Sequence, residues 1–431
     1  ILVRHNKEIL IPNIKEFKIK LLSWAQQFEE VVWLDSNHRL QSHASYDAVL
    51  AIDAFTGIQT DALNGFKKLK EYQELTNDWI FGYLSYDLKN DIEPLSSKNF
   101  DGLYFPDLYF FQPKRLFLFK DNKLAIKYLN CVSDDIDFDL ATISSFSITN
   151  ESNFTNNIKI ESRLTKDSYI EKVTTMLSHI QRGDIYEANF CQEFYAIAKL
   201  NPLKTYFSLN SIAQTPFATF LKNGSQFLLS SSPERYIKKE GSIITSQPIK
   251  GTTRRSDDIS EDEKLKFVLK NDQKERSENI MIVDLVRNDL SKIARKGTVK
   301  VTELCELHSF KQVHHMISTV EAEVSPTLSP VDVISATFPM GSMTGAPKIS
   351  AMKIIEALEE TKRGVYSGAV GYFTPEGDFD FNVVIRSILY NASNSYVSFS
   401  VGSAITSKST PQREYEECLV KAKAMRSVLE N

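Results

Sequence analysis

Cysteine is scarce in this chain. Its four residues, Cys131, Cys191, Cys305 and Cys418, lie far apart with no CxxC pair. That fits the reduced thiols of a cytoplasmic protein better than a disulfide framework or a zinc site. An excess of either charge is missing too: 51 basic against 55 acidic residues leave −4. No general attraction to nucleic acid or to an acidic membrane is expected. No apolar run is long enough to span a bilayer. The opening ILVRHNKEILIP is too short and too charged for a secretion signal. Internal repeats are absent. What remains is length and apolar content: 431 residues, 42% hydrophobic, enough to bury a large core in two domains or in one two-lobed domain.

The first third carries short apolar and aromatic runs between turn residues, DAVLAIDAF (47–55), DWIFGYLSYD (78–87) and LYFFQPKRLFLF (108–119), which read as strands. Residues 133–165 are dominated by Ser, Thr, Asn and Asp. They read as the crossing between an N-terminal lobe, 1–160, and a second lobe, 161–431, with room for a weak strand. KDSYIEKVTTMLSHIQRGD then places Tyr169, Val173, Met176, Leu177 and Ile180 at helical spacing, and Gly183 stops the helix. A polar helix is expected through DEKLKFVLKNDQKERSENIMIVDLVRNDL, with further helices at KISAMKIIEALEE and REYEECLVKAKAMRSVL. Strands arrive in runs, not in regular βαβ alternation. The class is therefore α+β with antiparallel sheets.

Two helical segments carry carboxylates three apart, Glu275 with Glu278 and Glu414 with Glu417. Such pairs share a helix face. Either they are solvated surface, or two helices aim them at one Mg²⁺ that keeps open positions for water and substrate oxygens. FPMGSMTGAPK (338–348) is not a Walker loop, because Gly341 and Gly345 stand too close and Pro347 precedes Lys348. It reads equally as a turn that launches the next helix or as a helix N-terminus facing an anion. Arg386 lies in the strand-like FNVVIRSILY and needs a partner, either a structural carboxylate or a substrate's. Lys250 in SQPIKGTTRR reads alone as a loop lysine at a strand end.

GDIYEANFCQEF, SSPERYI, PIKGTTRR, ENIMIVDLVRNDL, FPMGSMTGAPK, GVYSGAVGY, VIRSILY and EYEECLVKAKAM occur in this order. Together they resemble the chorismate-utilising enzymes: anthranilate synthase component I, aminodeoxychorismate synthase component I, and the isochorismate and salicylate synthases. The resemblance covers about residues 165–431. It implies a large two-lobed sandwich of antiparallel β-sheets wrapped by helices, with the active site in a cleft. It also implies that Glu278 and Glu417 bind Mg²⁺, with Glu275 and Glu414 assisting directly or through water. Tyr366 and Arg386 would hold the enolpyruvyl carboxylate of chorismate. Thr344 and His315 would line the ring site, His315 counted with the catalytic residues. Gly402 and its neighbour Ser403 would offer backbone N–H groups.

Two departures stand out. The usual G-x-G-I loop reads GSAI, with Ala404 at the second glycine. Glu187 stands where amine-forming members often have Gln and water-using members Lys, which argues against isochorismate or salicylate chemistry. Lys250 separates the remaining relatives, because anthranilate synthases usually read PIAGT and aminodeoxychorismate synthases PIKGT. Lys250 would add at C2 of chorismate, in a neutral form favoured by burial. Glu234, with a raised pKa, would protonate the leaving hydroxyl. The resemblance thus implies amination of chorismate to 4-amino-4-deoxychorismate, for p-aminobenzoate and folate, with ammonia from a separate glutamine amidotransferase subunit. The alternatives are anthranilate synthase component I and a non-catalytic module binding tryptophan in the first lobe near residues 21–37.

Overall fold

The computed structural model describes residues 3–37, 45–147, 157–310 and 313–431. Among them, twenty strands join in one antiparallel network with helices packed on it. The apolar runs of the first third form strands Ala48–Thr60, Ile80–Leu84 and Leu108–Lys120. Their continuous apolar character has a simple cause: both faces are buried. Along one strand Val49 and Ala51 face one core while Ala48, Leu50 and Ile52 face a second. Val32 against Val31 and Trp33 repeats the alternation in strand Glu30–Asp35.

The boundary expected near residue 160 is not a core boundary. Strand Glu30–Asp35 is sandwiched between Ala48–Thr60 and Phe217–Asn223, and Ile80–Leu84 pairs with Ala369–Phe373. Both cores draw on residues from either side of 160. The polar stretch 133–165 also holds more structure than expected. Residues Ile136–Ser145 form a helix whose Ile136 and Ile143 are buried, and Glu161–Ser162 is a short strand; 148–156 lie outside the described residues.

Helix Lys166–Arg182 follows its signals. The Thr165 hydroxyl caps it by accepting from Ser168 N–H, and Gly183 ends it at φ +82°. The long polar helix is instead two, Ile259–Asn271 and Gln273–Ser291. Asp272 breaks the run because its carboxylate accepts from the N–H groups of Lys274 and Glu275 and starts the second helix. No helix among the described residues is long and apolar enough to cross a membrane.

Candidate active site

A cavity of about 530 Å³ opens between strand Tyr396–Thr406, the Ile249–Arg254 strand, the first two turns of helix Gln273–Ser291 and the second and third turns of helix Pro411–Glu430. That is a size suited to a small ligand. Of the residues singled out from sequence, Glu234, Lys250, Glu275, Glu278, His315, Tyr366, Arg386, Gly402, Ser403 and Glu417 line it.

Local structure explains how each arrives. Lys250 sits in a bulge: the register with the neighbouring strand shifts between Ile249 and Thr252, and Gly251 takes φ +86°. A bulge re-aims a side chain, and glycine tolerates that φ without strain. Gly402 is fixed by close approach, since a Cβ there would come within 2.3 Å of Asn189 Oδ1 and 2.6 Å of Cys191 Sγ. Ala404, by contrast, is accommodated on the cavity wall.

Lys250 departs from expectation. Burial does push its amine toward neutrality, but Glu187, Glu278 and Glu234 outweigh it, and the pKa lies above the ordinary 10.5. Glu187 Oε1 accepts from Lys250 Nζ at 3.0 Å. Lys250 is therefore a charged lysine in the resting protein. Glu234 behaves as an acid needs to: burial pushes its carboxyl up to about 7, against smaller opposing pulls from Ser342 and Lys250. His315 is pushed down to about 3 by burial and by Arg386. It is a neutral imidazole whose Nδ1 meets the Thr252 hydroxyl at 2.8 Å, so it contributes no cationic acid near neutrality.

Arg386 has φ +53° and lines the cavity beside Tyr366. Burial lowers its pKa, with Tyr366 and Glu417 opposing. Among the described residues no carboxylate forms an ion pair with it, which leaves its guanidinium fork for a ligand carboxylate. Thr344 does not reach the cavity. It is fully buried, and its hydroxyl donates to the carbonyls of Met340 and Gly341 within its own turn. The glycine segment presents Ser342 and Met343 instead. The segment is the turn that launches the next helix, Lys348–Leu358, with Pro347 at its cap, and Lys348 is tied to Asp289 and to two backbone carbonyls.

The four carboxylates sit in the first two turns of their helices. Burial pushes Glu278 up to about 7, with Lys250 and Lys274 opposing. Its Oε1 is buried with no hydrogen-bond partner. Glu414 lies behind Ser403, whose hydroxyl donates to it, and is off the cavity wall. Lys274 stands 3.8 Å from Glu278 and 3.7 Å from Glu414, and Lys421 stands 2.7 Å from Glu417. Among the described residues no three acidic, His or Cys side chains gather into a preformed cage. The donor set still fits Mg²⁺, which commonly takes one or two carboxylates and completes its shell with water and substrate oxygens. An orphaned buried carboxylate oxygen is what such an ion satisfies. Lys274 and Lys421 were missed from sequence, although each stands four residues from a glutamate of the set, a spacing that pairs charges on a helix.

Fold and cleft together define a chorismate-utilising enzyme. A profile of the chorismate binding enzyme family matches residues 29–427, and the chain belongs to that family. It is 29% identical to aminodeoxychorismate synthase component 1 of Bacillus subtilis, over 97% of each chain. It is 34% identical to anthranilate synthase component 1 of Saccharolobus solfataricus, over 85% of each. The crystal structure of anthranilate synthase component I from Streptococcus pneumoniae has a TM-score of 0.77 at 27% identity, covering 90% of this chain and 94% of that one.

Proposed function

We propose that the chain is the chorismate-aminating component of an aminodeoxychorismate synthase. The observation that carries the reading is Lys250 on the cavity wall together with Glu234, a buried carboxyl that keeps its proton close to neutrality. Replacing the C4 hydroxyl of chorismate by an amine on the same ring face is awkward in one displacement. Two successive displacements achieve it. Lys250 bonds to C2 as the C4 hydroxyl leaves with the Glu234 proton. Ammonia then bonds to C4 as Lys250 leaves. Arg386, with Tyr366 beside it, holds the enolpyruvyl carboxylate. Mg²⁺ at Glu278 and Glu417 supplies positive charge for the ring carboxylate, and Gly402 and Ser403 offer backbone N–H groups.

Ammonia comes in this reading from a glutamine amidotransferase subunit, and the product serves p-aminobenzoate and folate synthesis. Tryptophan in the first lobe near residues 21–37 is not supported by the cavity found there, which is lined by Leu34, Asp35 and Ser36 and measures only about 60 Å³. Anthranilate synthase component I is the second reading, favoured by relatives of similar identity. The test is a mass-spectrometric product assay with chorismate, Mg²⁺ and ammonium salt. Aminodeoxychorismate is expected from the wild type and none from Lys250→Ala. Anthranilate from the wild type would move the chain to tryptophan synthesis and remove Lys250 from the chemistry.

A further inference from the structure

We propose that Glu187 is the proton acceptor that frees Lys250 for attack, an inference that rests on the amination reading above. Glu187 opens strand Glu187–Ile197 and is clamped between two strands, with its backbone in register with Ala346 on one side and Thr406 on the other. Its side chain is 1% exposed and absent from the cavity wall. Its contact with the chemistry therefore runs through Lys250 Nζ, 3.0 Å from Oε1. The second oxygen, Oε2, is buried with no hydrogen-bond partner.

Handing the Lys250 proton across one hydrogen bond neutralises both partners without moving either. The other charged groups facing Lys250 are less suited. Glu234 must already hold a proton to give to the leaving hydroxyl. Glu275 and Glu278 on one helix and Glu417 on another face the lysine across the cavity, with Lys274 among them. Among the described residues Glu187 alone forms an ion pair with Lys250. A glutamine at this position could not take the proton.

The sequence balances as follows in atoms and electrons. The proton passes from Nζ to Glu187, and the Nζ lone pair forms the bond to C2. The two ring double bonds each shift one place, and the C4–O electron pair leaves with the hydroxyl. That hydroxyl takes the Glu234 proton and departs as water. When ammonia bonds to C4 the double bonds shift back, and the C2–N pair returns to Nζ as a neutral amine. Glu187 then returns its proton to Lys250, and Glu234 regains one from solvent.

The experiment follows covalent adduct formation by rapid quench and intact-protein mass spectrometry, with chorismate and Mg²⁺ but no ammonia. Wild type, Glu187→Gln and Glu187→Asp are compared from about pH 6 to about pH 9. In the wild type the Lys250 proton stays within the pair, so the rate is expected to follow the Glu234 acid alone and to fall as pH rises through about 7. In Glu187→Gln the proton must leave to solvent. Its rate near neutrality is expected to fall by ~10²-fold, and its ratio to the wild-type rate to climb with pH by up to about tenfold per unit. Chorismate affinity, measured by calorimetry on each variant, is expected to be unchanged, which shows an assembled site. Glu187→Asp is expected to be slow but to keep the wild-type pH profile, and it carries the test if the glutamine variant fails to fold. A glutamine variant as fast as the wild type, or slow without the added pH dependence, overturns the proposal while leaving the amination reading intact. A wild type that forms neither adduct nor aminodeoxychorismate overturns the amination reading, and the Glu187 proposal with it.

Discussion

Glu234 shows how one residue trades stability for chemistry. Its carboxyl lies near 7 in the folded protein against an ordinary 4.5, because burial disfavours the charge. Between those values the folded state holds a proton that the unfolded state has released. Stability from this group is thus present below about pH 4.5 and is lost as pH rises through 7. The gap corresponds to ~3 kcal/mol. Glu234→Gln is expected to be more stable than wild type at mildly alkaline pH by up to that amount, measured by urea denaturation. It is also expected to turn over ~10²–10⁴-fold more slowly, the usual contribution of a positioned acid. A variant that is less stable at alkaline pH would mean the carboxylate is well solvated there. The buried carboxyl proposed as the acid was singled out from the motif SSPERY. The charge state of Lys250 was not, because the carboxylates that set it come from elements far away in the chain: Glu187, Glu234 and Glu278.

At the scale of elements, helix ends do much of the positioning. Glu275 and Glu414 lie in first turns, where carboxylates complement the helix dipole, Glu278 and Glu417 follow in the second turns, and each pair faces a lysine one turn away or across the cleft. The pairs and their spacing were readable from sequence. That Glu414 would turn behind Ser403 and Thr344 into its own loop was not, since both depend on tertiary packing. If Mg²⁺ sits at Glu278, it stabilises the fold by mass action, by ~2.7 kcal/mol when the ion is at a hundred times its dissociation constant. Wild type is therefore expected to melt at a higher temperature with added Mg²⁺, by scanning calorimetry, and Glu278→Gln to lose most of that response. An equal response in both would place the ion elsewhere.

The whole molecule is less divisible than its sequence suggests. Polar composition around 133–165 reads as a link between two lobes, and composition does report local solvent exposure. It says nothing about which strands pair, and pairing decides what folds. Strand Glu30–Asp35 bridges its own hairpin partner and Phe217–Asn223, so removing the first 160 residues exposes the edge of the second strand. It also uncovers Ala369–Phe373, whose neighbour Ile80–Leu84 is lost. Phe110 and Phe111 leave one core and Trp33, Phe117 and Tyr128 the other. Each large apolar side chain is worth about 1.5–3 kcal/mol when buried, against a total stability of only about 5–15 kcal/mol. Residues 161–431 expressed alone are therefore expected to aggregate or to lack a cooperative thermal transition in near-ultraviolet circular dichroism, while the full chain melts in one. A sharp transition from the fragment would show that one core closes without the first third. The cavity, whose lining runs from Asn189 to Lys421, would then belong to a unit that folds without the first third.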